Sequence, residues 1–299
     1  MLSISKISFP GLGIGEFTTN SVAFSIFGVS IAWYALIITT GMICAVLYVI
    51  HTAKKIGVGS EDIIDFALFT IPIGILGARL YYVLTKLEEF PTFASVLNIR
   101  SGGLAIYGGI IAGALTVIAV CYYKKIYFFA LADCISPGLI LAQGIGRWGN
   151  FVNGEAYGYE TDWFCRMGLS NYNSYSDFGT YEMVYVHPTF LYESLWNLLG
   201  FGLANLYIKL VGKKYDGQIF LMVFGWYGLG RMLIEGLRTD SLYIPGTELR
   251  ISQVLAGVIF VAAAALLVYF AVKPPKREFY FKADKKQKVT GDKNTKKHK

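Results

Sequence analysis

The feature that most constrains this chain is a series of seven apolar runs, lying roughly at residues 26–50, 63–85, 104–123, 128–147, 189–209, 217–236 and 251–272. An apolar helix of about 20 residues matches the hydrocarbon thickness of a bilayer. Inside hydrocarbon every backbone N–H and C=O must find its partner within the segment, which leaves the α-helix for runs of this length. Only 16% of the 299 residues are charged, against about a quarter in an ordinary soluble domain. The expected fold is therefore an all-α polytopic membrane protein with about seven transmembrane helices. Residues 1–272 read as one integral membrane domain. The first run is too long for the apolar core of a signal peptide and lacks a small-residue cleavage site, so it reads as a retained span.

Charge orients the chain. Most of the 27 Lys and Arg residues fall in four segments, after the first, third, fifth and seventh runs. Placing those four segments on one side satisfies the positive-inside rule, with the N-terminus outside and the C-terminus inside. The basic segment 273–299 is expected to be a disordered cytoplasmic tail near anionic lipid. Basic residues distributed between apolar runs and a tail argue for a lipid bilayer as partner and against nucleic acid. Residues 150–188 and 86–101 are expected to form a small extracytoplasmic cap.

Seven arginines break the bias: Arg79, Arg100, Arg147, Arg166, Arg231, Arg238 and Arg250 map to the outer side or to outer halves of spans. A charge at the bilayer centre costs at least about 2.5–3.5 kcal/mol, so such residues need a partner or a function. An anionic ligand entering from the outer leaflet would supply one. The four cysteines and three histidines lack metal-type spacing, and no P-loop, GxSxG or HExxH occurs. No metal or nucleotide cofactor is expected.

Polar equipment concentrates in a few motifs. GRWGNFVNGEAYG (146–158) places Arg147 and Asn150 on one helical face, breaks at Asn153-Gly154 and brings in Glu155. An arginine fork beside asparagine amides and bare glycine backbone suits a phosphate. An internal Arg147–Glu155 ion pair closing a helix end fits the same residues equally well. GWYGLGRMLIEGLRTD (225–240) puts Arg231, Glu235 and Arg238 in one helical stripe, either a ligand site or a salt-bridged triad. RSGGLAIYGG (100–109) flanks Tyr107 with paired glycines that could present its phenol or only allow close helix packing. HPTFLYES (187–194) holds His187 and Glu193, and Tyr34 sits in the first run, where an interfacial anchor is the simpler reading. A transporter or channel for an anionic solute, or a lipid-binding scaffold, would use such residues as readily as an enzyme. The lack of an internal repeat weighs mildly against a transporter.

Taken in order, these motifs resemble those of bacterial prolipoprotein diacylglyceryl transferases. GRWGNFVNGEAYG is similar to the family signature GRxGNFxNGExxG, HPTFLYE to its HPxxLYE, and GLGRMLIEGLR to its final GxxRxxxExxR. The resemblance covers nearly the whole chain before the tail. It implies transfer of a diacylglyceryl group from phosphatidylglycerol to the lipobox cysteine of a preprolipoprotein signal peptide, with glycerol 1-phosphate leaving. It also implies a bacterial cytoplasmic membrane and an active site facing the outer leaflet. By position it casts Tyr34, Tyr107, Asn150, Glu155, Arg231 and Glu235 as catalytic. It casts Arg147, Asn153, Gly102, Gly103, Gly108 and His187 as substrate-binding, with Arg147 on the lipid phosphate. Tyr107 departs from the many relatives that carry histidine there.

Overall fold

The computed structural model describes residues 4–90, 92–98, 102–273 and 275. It divides into two compact units, one running to Tyr48 and resuming at Asp133, the other comprising Val49–Ala132. Arg100 and the tail beyond Pro275 lie outside the described residues.

Helices dominate, but the all-α expectation is corrected by a β-structured N-terminus. Strands β1 (Ile4–Phe9), β2 (Ile14–Asn20), β5 (Met167–Ser170) and β6 (Val184–Val186) form an antiparallel sheet in the order β2-β1-β5-β6. The physical reason is burial: Ile7 and Phe9 of β1 pack with Met167 and Leu169 of β5 and with Val184 and Val186 of β6. The residues before the first span and the long polar loop therefore share one core, which neither can build alone. Strands β3 (Val22–Ile26) and β4 (Val29–Ala32) make a separate hairpin. The apolar run expected as a helix from residue 26 thus begins as strand.

Seven helices of 18 residues or more stand out among the described residues: α1 (Trp33–Ala53), α2 (Ser60–Thr85), α4 (Ile106–Lys124), α5 (Phe128–Asn153), α7 (Thr189–Leu210), α8 (Gln218–Glu235) and α9 (Ile251–Val272). Short helices α3 (Phe93–Leu97) and α6 (Tyr172–Phe178) lie in the connecting segments. Five of the long helices, α1, α2, α4, α5 and α9, are long and apolar enough to cross a membrane. The protein has the helices of a membrane protein. Helices α7 and α8 are more polar, and their buried Glu193, Asn197, Gln218 and Glu235 account for the difference.

In the first unit α8 packs against both α7 and α9. Trp196 of α7 and Trp226 of α8 stack with ring centroids 4.3 Å apart. Each indole N–H donates to the other residue's carbonyl at 2.9 Å. At Gly228 an added Cβ would come within 2.8 Å of the Ala256 carbonyl oxygen, so only glycine allows α9 this close. Asp133 of α5 fixes the start of α8. Its buried carboxylate accepts from the backbone N–H of Gly217 and Phe220 and from Lys213 Nζ, at 2.9, 2.9 and 3.0 Å. This places an anion where the helix leaves its first N–H groups unpaired.

Candidate active site

The signature segment sits at the end of α5, which stops at Asn153 because Gly154 takes φ +59°. Gly154 is clamped by the sheet region: Asn171 Nδ2 donates to its carbonyl at 2.9 Å and to Ser5 Oγ at 2.9 Å. A side chain at 154 would collide with both partners. The polar residues of the motif then bond to one another. Glu155 Oε1 accepts from Asn150 Nδ2 at 3.1 Å and from Asn153 Nδ2 at 3.2 Å. Asn150 Oδ1 accepts from Arg147 Nη1 at 3.4 Å. Gly149 gives the ring of Tyr34 its seat, since a Cβ there would lie 2.7 Å from the ring. The structure thus brings Tyr34, Arg147, Asn150, Asn153 and Glu155 together.

The ion partner of Arg147 is Glu193 of α7, with Nη2 to Oε2 at 2.5 Å. Arg147 is linked to Glu155 through Asn150, so the alternative of a direct Arg147–Glu155 ion pair is not what forms. Glu193 also accepts from Arg231 of α8 at 2.8 Å and from Arg238 just beyond α8 at 3.3 Å. Arg231 in turn pairs with Glu235 at 2.5 Å, one helical turn on. Arg238 grips Asp240 with two parallel bonds of 2.8 and 2.6 Å. Arg250, at the start of α9, donates to the backbone carbonyl of Glu235 and, at 3.1 Å, to Tyr159 Oη.

Three guanidiniums, those of Arg147, Arg231 and Arg238, therefore meet three carboxylates, those of Glu193, Glu235 and Asp240, and Arg250 joins them through the Glu235 backbone carbonyl. The side chains of Glu193 and Glu235 are 5% and 2% exposed, while Arg147 is the most open of the paired arginines at 21%. The two buried carboxylates, Glu193 and Glu235, orient the forks, while Asp240 holds Arg238 from a half-exposed position. Burial disfavours the Asp240 carboxylate, yet the hydrogen bonds and charge of Arg238 outweigh this and hold it below the usual range. The same pairing raises Arg238 further above its ordinary value, against the opposing pull of burial.

The sequence pointed to Arg231, Glu235 and Arg238 as a stripe but not to Glu193 as the residue that ties that stripe to Arg147. The available signal was Glu193 itself, a carboxylate in the apolar run that opens α7. Arg250 was missed as a member of the cluster.

His187 sits at the cap end of α7. Its Nδ1 and Cys165 Sγ both lie within hydrogen-bond distance of Tyr192 Oη, at 3.2 and 3.3 Å. The Trp163 ring meets the imidazole edge-on. Burial lowers the imidazole pKa and keeps the ring neutral.

The second unit holds the remaining predicted residues. Tyr107 lies in the first turn of α4. Gly108 is bare where α4 crosses α2, and a Cβ would strike the Gly77 carbonyl and Tyr81. Gly102 and Gly103, both at positive φ, offer their carbonyls to Arg79. Arg79 also donates to Ser95, Val96 and Asn98 carbonyls, at 2.7, 2.8 and 2.9 Å. All five N–H groups of its guanidinium are thereby used. Arg79, expected among the arginines awaiting an anion, instead folds the loop between α2 and α4.

A family model described as prolipoprotein diacylglyceryl transferase matches residues 21–269 of the chain. A phosphatidylglycerol–prolipoprotein diacylglyceryl transferase of Enterococcus faecalis is 40% identical over 275 residues, covering 91% of this chain and 97% of the relative. Similarity of the same order extends to proteins of that name from Clostridium perfringens, 42% identical over 83% of this chain and 94% of the relative, and Listeria innocua, 40% identical over 93% and 99%.

Proposed function

Because the chain belongs to the prolipoprotein diacylglyceryl transferase family, we propose that it performs this reaction at the arginine cluster around Glu193. The enzyme moves the diacylglyceryl group of phosphatidylglycerol to the thiol of a lipobox cysteine in a preprolipoprotein. The cysteine sulfur forms a bond to the terminal glyceryl carbon of the diacylglyceryl group. The bond from that carbon to the phosphate oxygen breaks, and its electron pair leaves with glycerol 1-phosphate. The thiol proton ends on the departing glycerol phosphate, so that thiol plus phosphatidylglycerol gives thioether plus glycerol 1-phosphate.

The observation that supports this most is the convergence of Arg147, Arg231 and Arg238 on one buried carboxylate, with Arg147 the most open of the three. Negative charge grows on the phosphate as the bond breaks, and guanidiniums already oriented stabilise it without reorganising. Arg147 takes the phosphate through its fork. Glu155, held by Asn150 and Asn153, and Glu235, paired to Arg231, keep the cations aligned. Tyr34 borders the same segment. A guanidinium beside the incoming thiol lowers its pKa from about 8.5 and enlarges the thiolate fraction. Tyr107 positions the thiol or relays its proton, with Gly102, Gly103, Gly108 and His187 shaping substrate access. The chain resides in the bacterial cytoplasmic membrane with seven spans, N-terminus out, C-terminus in and the cluster at the outer leaflet.

The test is reconstitution. Purified protein in phosphatidylglycerol vesicles, given a lipobox peptide, should yield a peptide heavier by one diacylglyceryl group and an equal amount of glycerol phosphate. A folded preparation that yields neither product refutes the reading. Arg147→Lys keeps the charge but loses the fork, and wild-type turnover by this variant would refute bidentate phosphate binding.

A further inference from the structure

The hairpin β3–β4 takes up residues 26–32, the start of a run that hydropathy alone assigns to a membrane helix. Its register pairs Phe24 with Ile31, Ser25 with Ser30 and Ile26 with Val29. Directly opposed residues share a face, and successive residues alternate. One face of the ribbon is therefore Phe24, Ile26, Val29 and Ile31, and the other is Ser25 and Ser30, whose hydroxyls bond to each other at 3.1 Å. Phe24, Ile26 and Val29 are about half exposed, and Phe27 at the tip is fully exposed. None of the four side chains on the apolar face is buried, and Ile31 alone is partly covered.

The turn adds a second observation. Phe27 and Gly28 both take positive φ, 49° and 78°. Both central residues of a two-residue hairpin turn can adopt this conformation cheaply as Asn-Gly, whereas a bulky residue in the first position is strained. Folding gains nothing from phenylalanine here, since its ring touches no core. An aromatic ring at a membrane–water boundary does have a use.

What covers the face follows from continuity with the first span. Between Glu16 and Lys54 the chain contains no Asp, Glu, Lys or Arg. The hairpin and α1 share this one uncharged stretch. The backbone N–H of Trp33, the first residue of α1, donates to the Ser21 carbonyl at 2.9 Å, which ties the base of the hairpin to the start of the apolar helix. Trp33 is itself exposed there, as an interfacial aromatic would be. We propose that the β3–β4 hairpin is a lipid-binding element that inserts Phe27 and its apolar face into the headgroup–acyl boundary beside the N-terminal end of α1. Its backbone groups pair across the ribbon, and its serines face the wet side. It thereby fixes the depth of the α1 terminus that carries Tyr34.

The test uses the full chain in vesicles of phosphatidylethanolamine and phosphatidylglycerol. Benzoylphenylalanine is placed at position 27 and, separately, at Ser25 on the serine face. After irradiation, mass spectrometry should find phospholipid adducts at position 27 several-fold above those at position 25. A covalent protein dimer from position 27, or adducts equal at both positions, overturns the proposal. An independent measurement uses Phe27→Trp, read as the difference spectrum from the parent protein. The added emission should be quenched about twofold more by lipids brominated near the headgroup than by lipids brominated near the chain ends. Emission typical of water, unquenched by either lipid, overturns it as well.

Discussion

Replacing Glu193 by glutamine tests whether one carboxylate organises the site. The substitution preserves shape and one acceptor oxygen but removes the charge that Arg147, Arg231 and Arg238 share at 2.5, 2.8 and 3.3 Å. Breaking a buried ion pair by removing one partner costs about 3–5 kcal/mol, because the other charge is left uncompensated. Three guanidiniums lose a partner here. The retained oxygen and the partial exposure of Arg147 and Arg231 place the expected cost at the low end, about 3 kcal/mol. If the alignment of the forks is what stabilises the departing phosphate, that loss appears in the barrier. At 1.36 kcal/mol per decade, transfer should fall by roughly a hundredfold. Glu193→Asp keeps the charge on a shorter arm and should retain more activity than the glutamine variant. The assay is initial rate of peptide modification against phosphatidylglycerol concentration, run beside a thermal unfolding curve in detergent. A Glu193→Gln protein within twofold of wild type in rate refutes the organising role. So does one that is inactive only above its own unfolding temperature, since the carboxylate would then be structural.

Three further outcomes follow from the geometry. Arg79→Lys replaces five donors by three at a buried site and should free the loop between α2 and α4, visible as new cleavage near residues 92–98 in limited proteolysis; an unchanged digest would contradict the cage. Asp133→Asn keeps at most part of the acceptor set at the start of α8 and leaves Lys213 Nζ without that buried anion, so the melting temperature should drop by several degrees, and an unchanged value would refute the capping role. Burial lowers the His187 pKa, so below about 6.5 the unfolded chain binds more protons than the folded one. Stability should therefore decline as pH falls from about 7 toward 5. His187→Asn should flatten that slope, measured by unfolding at several pH values.

Residue order alone carried the long helices from α2 onward, though not the short α3 and α6, because a run of some twenty apolar residues has few other stable states in lipid. It also singled out Arg147, Arg231, Glu235 and Arg238, charges that an apolar chain has little other reason to keep, but not Glu193 as the group that joins them. It misjudged the N-terminus. Ile26–Ala32 is as apolar as a helix start, and nothing local distinguishes it from one. Pairing across Phe27-Gly28 decided for strand. Likewise ISKISF becomes a strand because β5, more than 150 residues later, supplies its neighbour.

The partnerships of charge were the other decision that only the tertiary structure could make. Arg79, Arg147 and Arg231 are chemically identical, and all three map to outer parts of apolar runs, where a charge needs a partner or a function. Folding surrounds Arg79 with five carbonyls and consumes every donor it has. It sets Arg147 and Arg231 against Glu193 on a different helix, where the forks are held but only partly hidden. An arginine's role depends on which acceptors reach it within about 3 Å, and those acceptors come from segments far away in the chain.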